Sequence, residues 1–321
     1  MRGELGLKEQ NLSLRRKLWN LNWGLMLLIF AVAGTGILVL YSVARGEFDG
    51  LVARQLVRFG IALGPMIVVA LTDIRVWLRY AYVLYAATLA FLLAVEVIGS
   101  VGMGAQRWVD VGVVRLQPSE FMKITLVLAL ARYFHARKRE EVGRIRWLLP
   151  PAAMVVVPVA LVLRQPDLGT AILLLLGGGA MFFLAGVAAW QFGLALTATL
   201  AAIPFGWQLL HGYQQRRILT FLDPERDPLG AGYHILQSKI ALGSGGLFGR
   251  GYMEGTQGRL DFLPEKQTDF IFTMLAEELG LAGSFALLAL YMAILAYGVA
   301  IGLGSRSHFG RLLSMGVTNT F

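Results

Sequence analysis

Long apolar runs alternate with short polar segments along most of the chain. The first run, residues 18–40, is long enough to cross a bilayer as a helix, which takes about 20 residues. Further runs of this kind follow, and another begins where the sequence ends. They are residues 58–71, 79–98 and 118–131, the two runs that flank residues 164–170, and residues 190–210 and 270–303. The pattern predicts an all-α polytopic membrane protein with eight readable spans and the start of a ninth.

Composition supports this fold class and narrows the function. The chain has 321 residues, of which 56% are hydrophobic and 15% charged, whereas soluble domains have about 25% charged residues. The absence of cysteine from the whole sequence excludes disulfides and thiolate metal sites. The net charge of +9 does not indicate a nucleic-acid partner, because basic residues of membrane proteins collect in cytoplasmic loops.

The basic residues also predict the topology. Arg15, Arg16 and Lys17 precede the first run, so we expect the N-terminus to be cytoplasmic. Counting spans from there places residues 132–146, the most basic loop, in the cytoplasm, as the same rule requires. The count places residues 211–268 outside the cell. We therefore predict one multi-pass domain over residues 1–321 of the cytoplasmic membrane, with residues 211–268 as a long extracytoplasmic loop within it.

This long loop is the place to look for chemistry, because it carries more charges than a bilayer helix tolerates. Asp269 lies where the loop enters the last long span. A carboxylate at the membrane boundary is partly desolvated, which would raise its pKa toward that of a useful general base. The alternative is that Asp269, beside Thr268, caps the helix that follows.

Other acidic residues close to apolar runs are few. Glu120 and Lys123 are three residues apart, so they share a helix face and form either a structural ion pair or part of a polar cavity. Glu277 and Glu278 follow Asp269 by two to three turns. At least one of them is expected to face protein and not lipid.

Basic residues on the outer side need an explanation besides topology. Some would extend to lipid phosphates at the interface. The alternative is a basic cavity for a pyrophosphate-bearing substrate, since guanidinium groups pair with phosphate oxygens. The residues concerned are Arg107, Arg115, Arg164, Arg216, Arg217, Arg250, Arg259 and Lys266. Trp108, beside Arg107, is either part of the substrate-binding cavity or an interface anchor. For Arg164 and Asp167, a cavity mouth and a solvent-facing turn are both open.

Five segments in this order resemble the SEDS family (shape, elongation, division and sporulation), and within it the RodA branch. They are residues 104–108 (GAQRW), 117–123 (QPSEFMK), 164–170 (RQPDLGT), 243–249 (GSGGLFG) and 260–272 (LDFLPEKQTDFIF). The resemblance implies about ten spans and a C-terminal motif, and this sequence ends at Phe321 without that motif. Relatives commonly have His at the position of Gln267, so a proton shuttle by histidine is not expected here.

The resemblance further implies a peptidoglycan glycosyltransferase that polymerises lipid II at the outer face of the membrane. It implies a class B penicillin-binding protein as the transpeptidase partner within the elongation machinery, and Asp269 as the essential carboxylate. Charge on the departing pyrophosphate would be compensated by Arg107, Arg216, Arg217, Lys123 or a divalent cation, Mg²⁺ or Mn²⁺. The rival interpretations are a lipid II flippase and a non-catalytic scaffold.

Overall fold

The computed structural model describes residues 14–19, 21–48, 50–98, 100–102, 105–110, 115–209, 212–223, 231–256 and 266–320. These residues are mainly helical, which confirms the predicted fold class. The helices are α1 (Leu14–Trp19), α2 (Trp23–Val43), α3 (Leu51–Leu71), α4 (Ile74–Ile98), α5 (Pro118–His135), α6 (Arg139–Val142), α7 (Ile145–Arg164), α8 (Leu168–Leu184), α9 (Ala189–Leu209), α10 (Gly212–Leu222), α11 (Ala231–Ser244), the broken helix (Ile271–Gly304) and the final helix (His308–Asn319).

Six of the described helices are long and apolar enough to cross a membrane, namely α2, α3, α4, α7, α9 and the broken helix. Helix α8 is apolar but has only 17 residues. Helix α5 differs because it carries Glu120, Lys123 and Arg132, and most of its side chains are buried in protein. A helix with three charges is tolerated at such a position because neighbouring helices shield it from lipid.

The chain divides into two compact units, residues 1–72 with 210–294 and residues 73–209 with 295–321. In the second unit, α5 packs against α4, α7, α8 and the final helix. Its core contains the fully buried side chains of Met122, Leu130, Phe134, Leu174 and Met181. The single domain over residues 1–321 stays a prediction.

Glycines allow close helix packing in the second unit. A Cβ added at Gly178 of α8 would lie 2.6 Å from Val155 Cγ2 of α7. One added at Gly298 of the broken helix would collide with the Thr318 hydroxyl of the final helix. Small residues at helix contacts are typical of membrane proteins, where van der Waals packing replaces the hydrophobic drive between helices.

The first unit contains a break in its longest helix. Gly280 has φ 66° and ψ −161°, so the helical path stops there and resumes with Leu281. A break inside a membrane frees backbone groups that need new partners. The glycine-rich segment, residues 243–251, supplies them: its Arg250 and Gly251 amides donate to the carbonyls of Glu277 and Glu278, at 3.0 and 3.1 Å.

The glycine-rich segment also accepts hydrogen bonds from the broken helix. The amides of Leu281 and Ala282 donate to the carbonyls of Gly246 and Leu247, at 2.9 and 3.0 Å. A Cβ at Gly245 would collide with the carbonyl of Ala276, and a Cβ at Gly249 would collide with the carbonyl of Glu278. The glycines of this segment therefore permit a backbone-to-backbone contact with the broken helix.

Two polar segments contain more regular structure than the sequence predicts. The glycine-rich loop before Pro118 forms a small antiparallel sheet of β1 (Ser100–Gly102), β2 (Ala105–Asp110) and β3 (Arg115–Leu116), in that order. The predicted long loop, residues 211–268, contains α10 and α11. The apolar stretch of residues 235–242 lies within α11.

Candidate functional site

Asp269 lies in a turn, residues 266–270, directly before the broken helix. Its side chain is exposed. Within the part of the chain that the structure describes, its carboxylate makes no hydrogen bond or ion pair. The first hydrogen bonds of the helix are made by backbone groups and not by the Asp269 side chain. The Ile271 amide donates to the Thr268 carbonyl at 3.4 Å, and the Met274 amide donates to the Phe270 carbonyl at 3.2 Å.

The capping alternative for Asp269 therefore finds no support among the described residues. The expected desolvation is not supplied by the chain itself, since the side chain is exposed. Among the described residues, the Asp269 carboxylate is therefore exposed in its turn and has no competing partner.

A cavity of about 260 Å³ lies beside this turn, within the first unit. Apolar side chains that line it include Ile37 and Leu40 of α2, Phe59 of α3 and Ile271. Two amide side chains, Gln55 and Gln267, also line it. Gln267 precedes Asp269 by two residues and Ile271 follows it by two, while Asp269 itself is not among the lining residues.

Two buried acids anchor the helix that follows Asp269. The Glu277 side chain is 0% exposed, and its Oε1 accepts hydrogen bonds from the Thr256 amide at 2.8 Å and the Thr256 hydroxyl at 2.9 Å. Arg250 Nη1 donates to the same hydroxyl at 3.1 Å. Because a buried carboxylate is costly unless it is hydrogen-bonded, these contacts are what allows Glu277 to lie inside the protein.

Glu278 is buried on the same turn and accepts a hydrogen bond from the Ser42 hydroxyl at the end of α2. The prediction that at least one of these acids faces protein is confirmed, since both do. The first six residues of the broken helix rise about 9 Å, so the anchored acids fix the position of the helix start next to Asp269.

Tyr252 extends this anchor to α2. Its hydroxyl donates to the Leu38 carbonyl at 2.8 Å. Partial burial, and then the nearby Glu278 carboxylate and Tyr41, raise the pKa of Tyr252. The hydroxyl therefore keeps its proton and its hydrogen bond at neutral pH.

In the second unit, Glu120 and Lys123 form the expected ion pair, with 2.9 Å between Glu120 Oε2 and Lys123 Nζ. Both lie in the first two turns of α5, which begins at Pro118 as predicted. The Glu120 side chain is 54% exposed and that of Lys123 16%. Their part in a polar cavity stays a prediction.

The segment after α7 has buried polar side chains that connect it to neighbouring helices. Asp167 is 8% exposed and caps α8, with Oδ1 accepting from the Thr170 amide at 3.2 Å and Oδ2 from the Thr170 hydroxyl at 2.9 Å. Gln165 donates to the Leu92 carbonyl at 3.0 Å. A solvent-facing turn does not fit Asp167, because its side chain is buried. The cavity mouth stays a prediction, and Arg164 is exposed at the end of α7.

The candidate basic residues fall into different settings. Arg216 is exposed on α10 and its Nε donates to the Gly212 carbonyl at 3.3 Å. Lys266 is half-buried in the same turn as Asp269, and Trp108 of β2 is 38% exposed. The side chains of Arg107 and Arg217 lie outside the described part of the chain, although their backbones belong to β2 and α10.

The site residues are thus divided between the units. Asp269, Lys266 and Arg216 belong to the first, and Glu120, Lys123, Trp108 and Arg164 to the second. Among the described residues, no three His, Cys, Asp or Glu side chains converge in a group that could hold a metal ion. The sequence drew no attention to Thr256, Ser42 or Tyr252, because their roles depend on contacts with distant segments.

Comparison with known proteins identifies the family. The cell cycle protein family FtsW/RodA/SpoVE matches residues 22–321. Peptidoglycan glycosyltransferase MrdB of Escherichia coli K12 is 42% identical over 302 residues, which are 91% of this chain and 79% of MrdB.

Solved structures agree with the sequence match. A chain of a peptidoglycan synthase complex, described as coordinating polymerization and crosslinking, has a TM-score of 0.79 at 32% identity, covering 93% of this chain and 83% of its own. Rod shape determining protein RodA of Thermus thermophilus has a TM-score of 0.69 at 29% identity, covering 94% and 82%.

Proposed function

The chain belongs to the FtsW/RodA/SpoVE family and is a peptidoglycan glycosyltransferase, and we propose that it polymerises lipid II into glycan strands at the outer face of the cytoplasmic membrane during cell elongation. Asp269 is the catalytic base in this proposal. The observation that carries the assignment is the exposed carboxylate at the start of a helix that two buried acids hold in place.

The reaction needs one base and one good leaving group. Asp269 takes the proton from the 4-hydroxyl of the acceptor sugar, and the oxygen attacks the anomeric carbon of the donor chain. The bond from that carbon to the pyrophosphate oxygen breaks, with inversion, and undecaprenyl pyrophosphate leaves with the electron pair. Asp269 then returns its proton to water. A single carboxylate suffices because the pyrophosphate departs without protonation.

The cavity beside Asp269 supports this arrangement. Its apolar walls suit part of the isoprenoid chain of a substrate, and Gln267 and Gln55 suit the polar end of that chain. Lys266, three residues before Asp269, is near enough along the chain to offset negative charge that develops on the pyrophosphate. We propose the same role for Arg216 and Arg217 of the first unit. A part for Arg107, Lys123, Glu120, Trp108 and Arg164 in substrate binding stays a prediction.

A divalent cation is the alternative source of positive charge. No group of three candidate ligands converges among the described residues. A divalent cation held by fewer protein ligands together with the pyrophosphate stays a prediction.

The proposed setting of the reaction follows from the topology and from the relatives. With the predicted cytoplasmic N-terminus, the turn of Asp269 would face outward. The similar chain in a solved peptidoglycan synthase complex supports a crosslinking partner, and we propose a class B penicillin-binding protein in this role.

The test is turnover of purified lipid II by the full-length protein with its partner in liposomes, with an inhibitor of other glycosyltransferase families present. Glycan strands are expected. Movement of lipid II across the bilayer without strand formation would favour a flippase. Neither strands nor movement, from protein that folds and binds its partner, would favour a scaffold.

A further inference from the structure

Helices α7, α8 and α9 of the second unit enclose an apolar groove of about 650 Å³. Val155, Phe182 and Leu196 are typical of its wall, and only Gln191 and Thr199 contribute polar side chains. The Thr199 hydroxyl is already bonded to the Ala195 carbonyl of its own helix at 2.9 Å. Over most of its length, the groove therefore offers an occupant only apolar contacts.

The length of the groove matches one leaflet of a membrane. The lining residues extend from Leu148 to Val156 on α7 and from Gln191 to Thr199 on α9. Eight residues of helix rise about 12 Å, and half of the hydrocarbon core of a bilayer is about 15 Å thick. An extended acyl chain would fill the groove from its end at the membrane surface toward the middle of the bilayer.

Two glycines keep the groove open. Gly179 of α8 and Gly193 of α9 line it, and a Cβ added at either would meet no atom within 4 Å. The space beside Gly178, one residue earlier, is instead occupied by the Val155 side chain. The space can therefore be closed by substitution at Gly179 without disturbing the helix contact at Gly178.

One end of the groove is polar and basic. Gln191 Nε2 donates to the Gly143 carbonyl at 3.1 Å, while Gln191 Oε1 is shielded from solvent and has no hydrogen-bond partner among the described residues. Arg144, exposed at the start of α7, lies one turn before Leu148 and therefore above the groove-lining face of that helix. The surrounding loop, residues 132–146, has six Lys or Arg and two Glu residues.

We propose that this groove binds one acyl chain of an anionic phospholipid of the cytoplasmic leaflet, with the lipid phosphate at Arg144. Charge complementarity favours this occupant over a neutral lipid, because anionic lipids attract basic residues at the membrane surface. The basic loop places this end of the groove at the cytoplasmic surface. Phosphatidylglycerol is an anionic lipid of this kind.

The experiment is native mass spectrometry of the full-length protein after delipidation, with phosphatidylglycerol or phosphatidylcholine added at equal concentration. The parent is expected to bind one equivalent of phosphatidylglycerol at least tenfold more tightly than further equivalents. Gly179→Leu fills the groove and should abolish this first equivalent. Gly206→Leu is the matched control, since Gly206 of α9 also has open space at its Cβ but does not line the groove.

Arg144→Gln is a second variant that leaves the packing of the helices unchanged. It should reduce the preference for phosphatidylglycerol over phosphatidylcholine by roughly fivefold, since one basic residue at the surface contributes about 1 kcal/mol. Equal binding of both lipids by the parent would overturn the proposal, as would unchanged binding by Gly179→Leu with the parental melting temperature. Crosslinking of a partner protein from Leu196, in place of lipid, would assign the groove to a protein interface instead.

Discussion

Glu277 shows how a single buried residue joins distant segments of the chain. It is 0% exposed and accepts two hydrogen bonds from Thr256, and the Thr256 hydroxyl accepts a hydrogen bond from Arg250. Hydrogen bonds to an ionised acceptor are stronger than neutral ones, and removing one partner leaves the other unsatisfied inside the protein. Glu277 therefore stabilises the start of the broken helix from a buried position.

Glu277→Ala should lower the free energy of unfolding by about 2–4 kcal/mol, because it leaves a cavity and removes the acceptor for Thr256. Glu277→Gln should cost about 1 kcal/mol, since an amide oxygen still accepts a hydrogen bond. Thermal unfolding in detergent measures both. Glu254→Gln, at an exposed glutamate of the same unit, is the control, and equal stability of Glu277→Ala and this control would contradict the anchoring role.

At the scale of elements, glycines decide which helices touch and where one of them breaks. Gly178 and Gly179 are neighbours on α8, yet only the first meets α7. Gly280 takes a positive φ that other residues rarely adopt, and the glycine-rich segment pairs with the backbone around it. Both features serve close approach of one backbone to another element.

Gly178→Ala should destabilise the protein by about 1–3 kcal/mol, because the new methyl overlaps Val155. Both Val155 methyl groups lie within 2.8 Å of the new Cβ, and a β-branched side chain has few rotamers with which to avoid it. Gly179→Ala should be neutral or stabilising by up to about 1 kcal/mol, since alanine favours the helix. Melting temperatures of the pair check this, and a ranking in the opposite order would contradict the packing.

Gly280→Ala should reduce both stability and polymerisation. A Cβ there would collide with the Gly249 amide, and the positive φ adds strain for alanine. The control is Gly243→Ala on α11, where nothing lies within 4 Å of a new Cβ. The comparison needs melting temperatures and polymerisation rates, and parental values for Gly280→Ala would mean that the break is not required.

At the scale of the whole molecule, the sequence predicted the spans well because the bilayer fixes their length. It placed the second span near residue 58, whereas α3 begins at Leu51. Arg54 and Arg58 made this start look polar, although long basic side chains are tolerated at the ends of membrane helices. Arg54 Nε indeed folds back onto the Gly50 carbonyl at 3.0 Å.

The candidate site was predictable only in part. The Glu120–Lys123 pair follows from helical spacing alone, and the structure contains it. The break at Gly280 lies within an apolar run, where nothing in hydropathy distinguishes it from a continuous helix. The buried settings of Asp167 and Glu277 depend on tertiary contacts with residues far along the chain, which periodicity does not encode.

The topology gives a prediction for the whole molecule. The chain has no cysteine, so a single introduced cysteine can be labelled alone. Glu254→Cys should react with a membrane-impermeant maleimide in intact cells lacking an outer membrane, whereas Lys138→Cys should react only after permeabilisation, because its loop is basic. Both residues are exposed, and the reverse labelling pattern would place Asp269 on the wrong side for glycan synthesis.

The most direct test of the central claim is the rate at which purified lipid II is polymerised by the Asp269→Asn protein. The asparagine keeps the size of the side chain but cannot accept the proton, so we predict a rate lower by about 10²–10⁴-fold, the usual contribution of a general base. Glu254→Gln removes a carboxylate from an exposed position of the same unit and should retain the parental rate. A folded Asp269→Asn protein that polymerises as fast as Glu254→Gln would contradict Asp269 as the base.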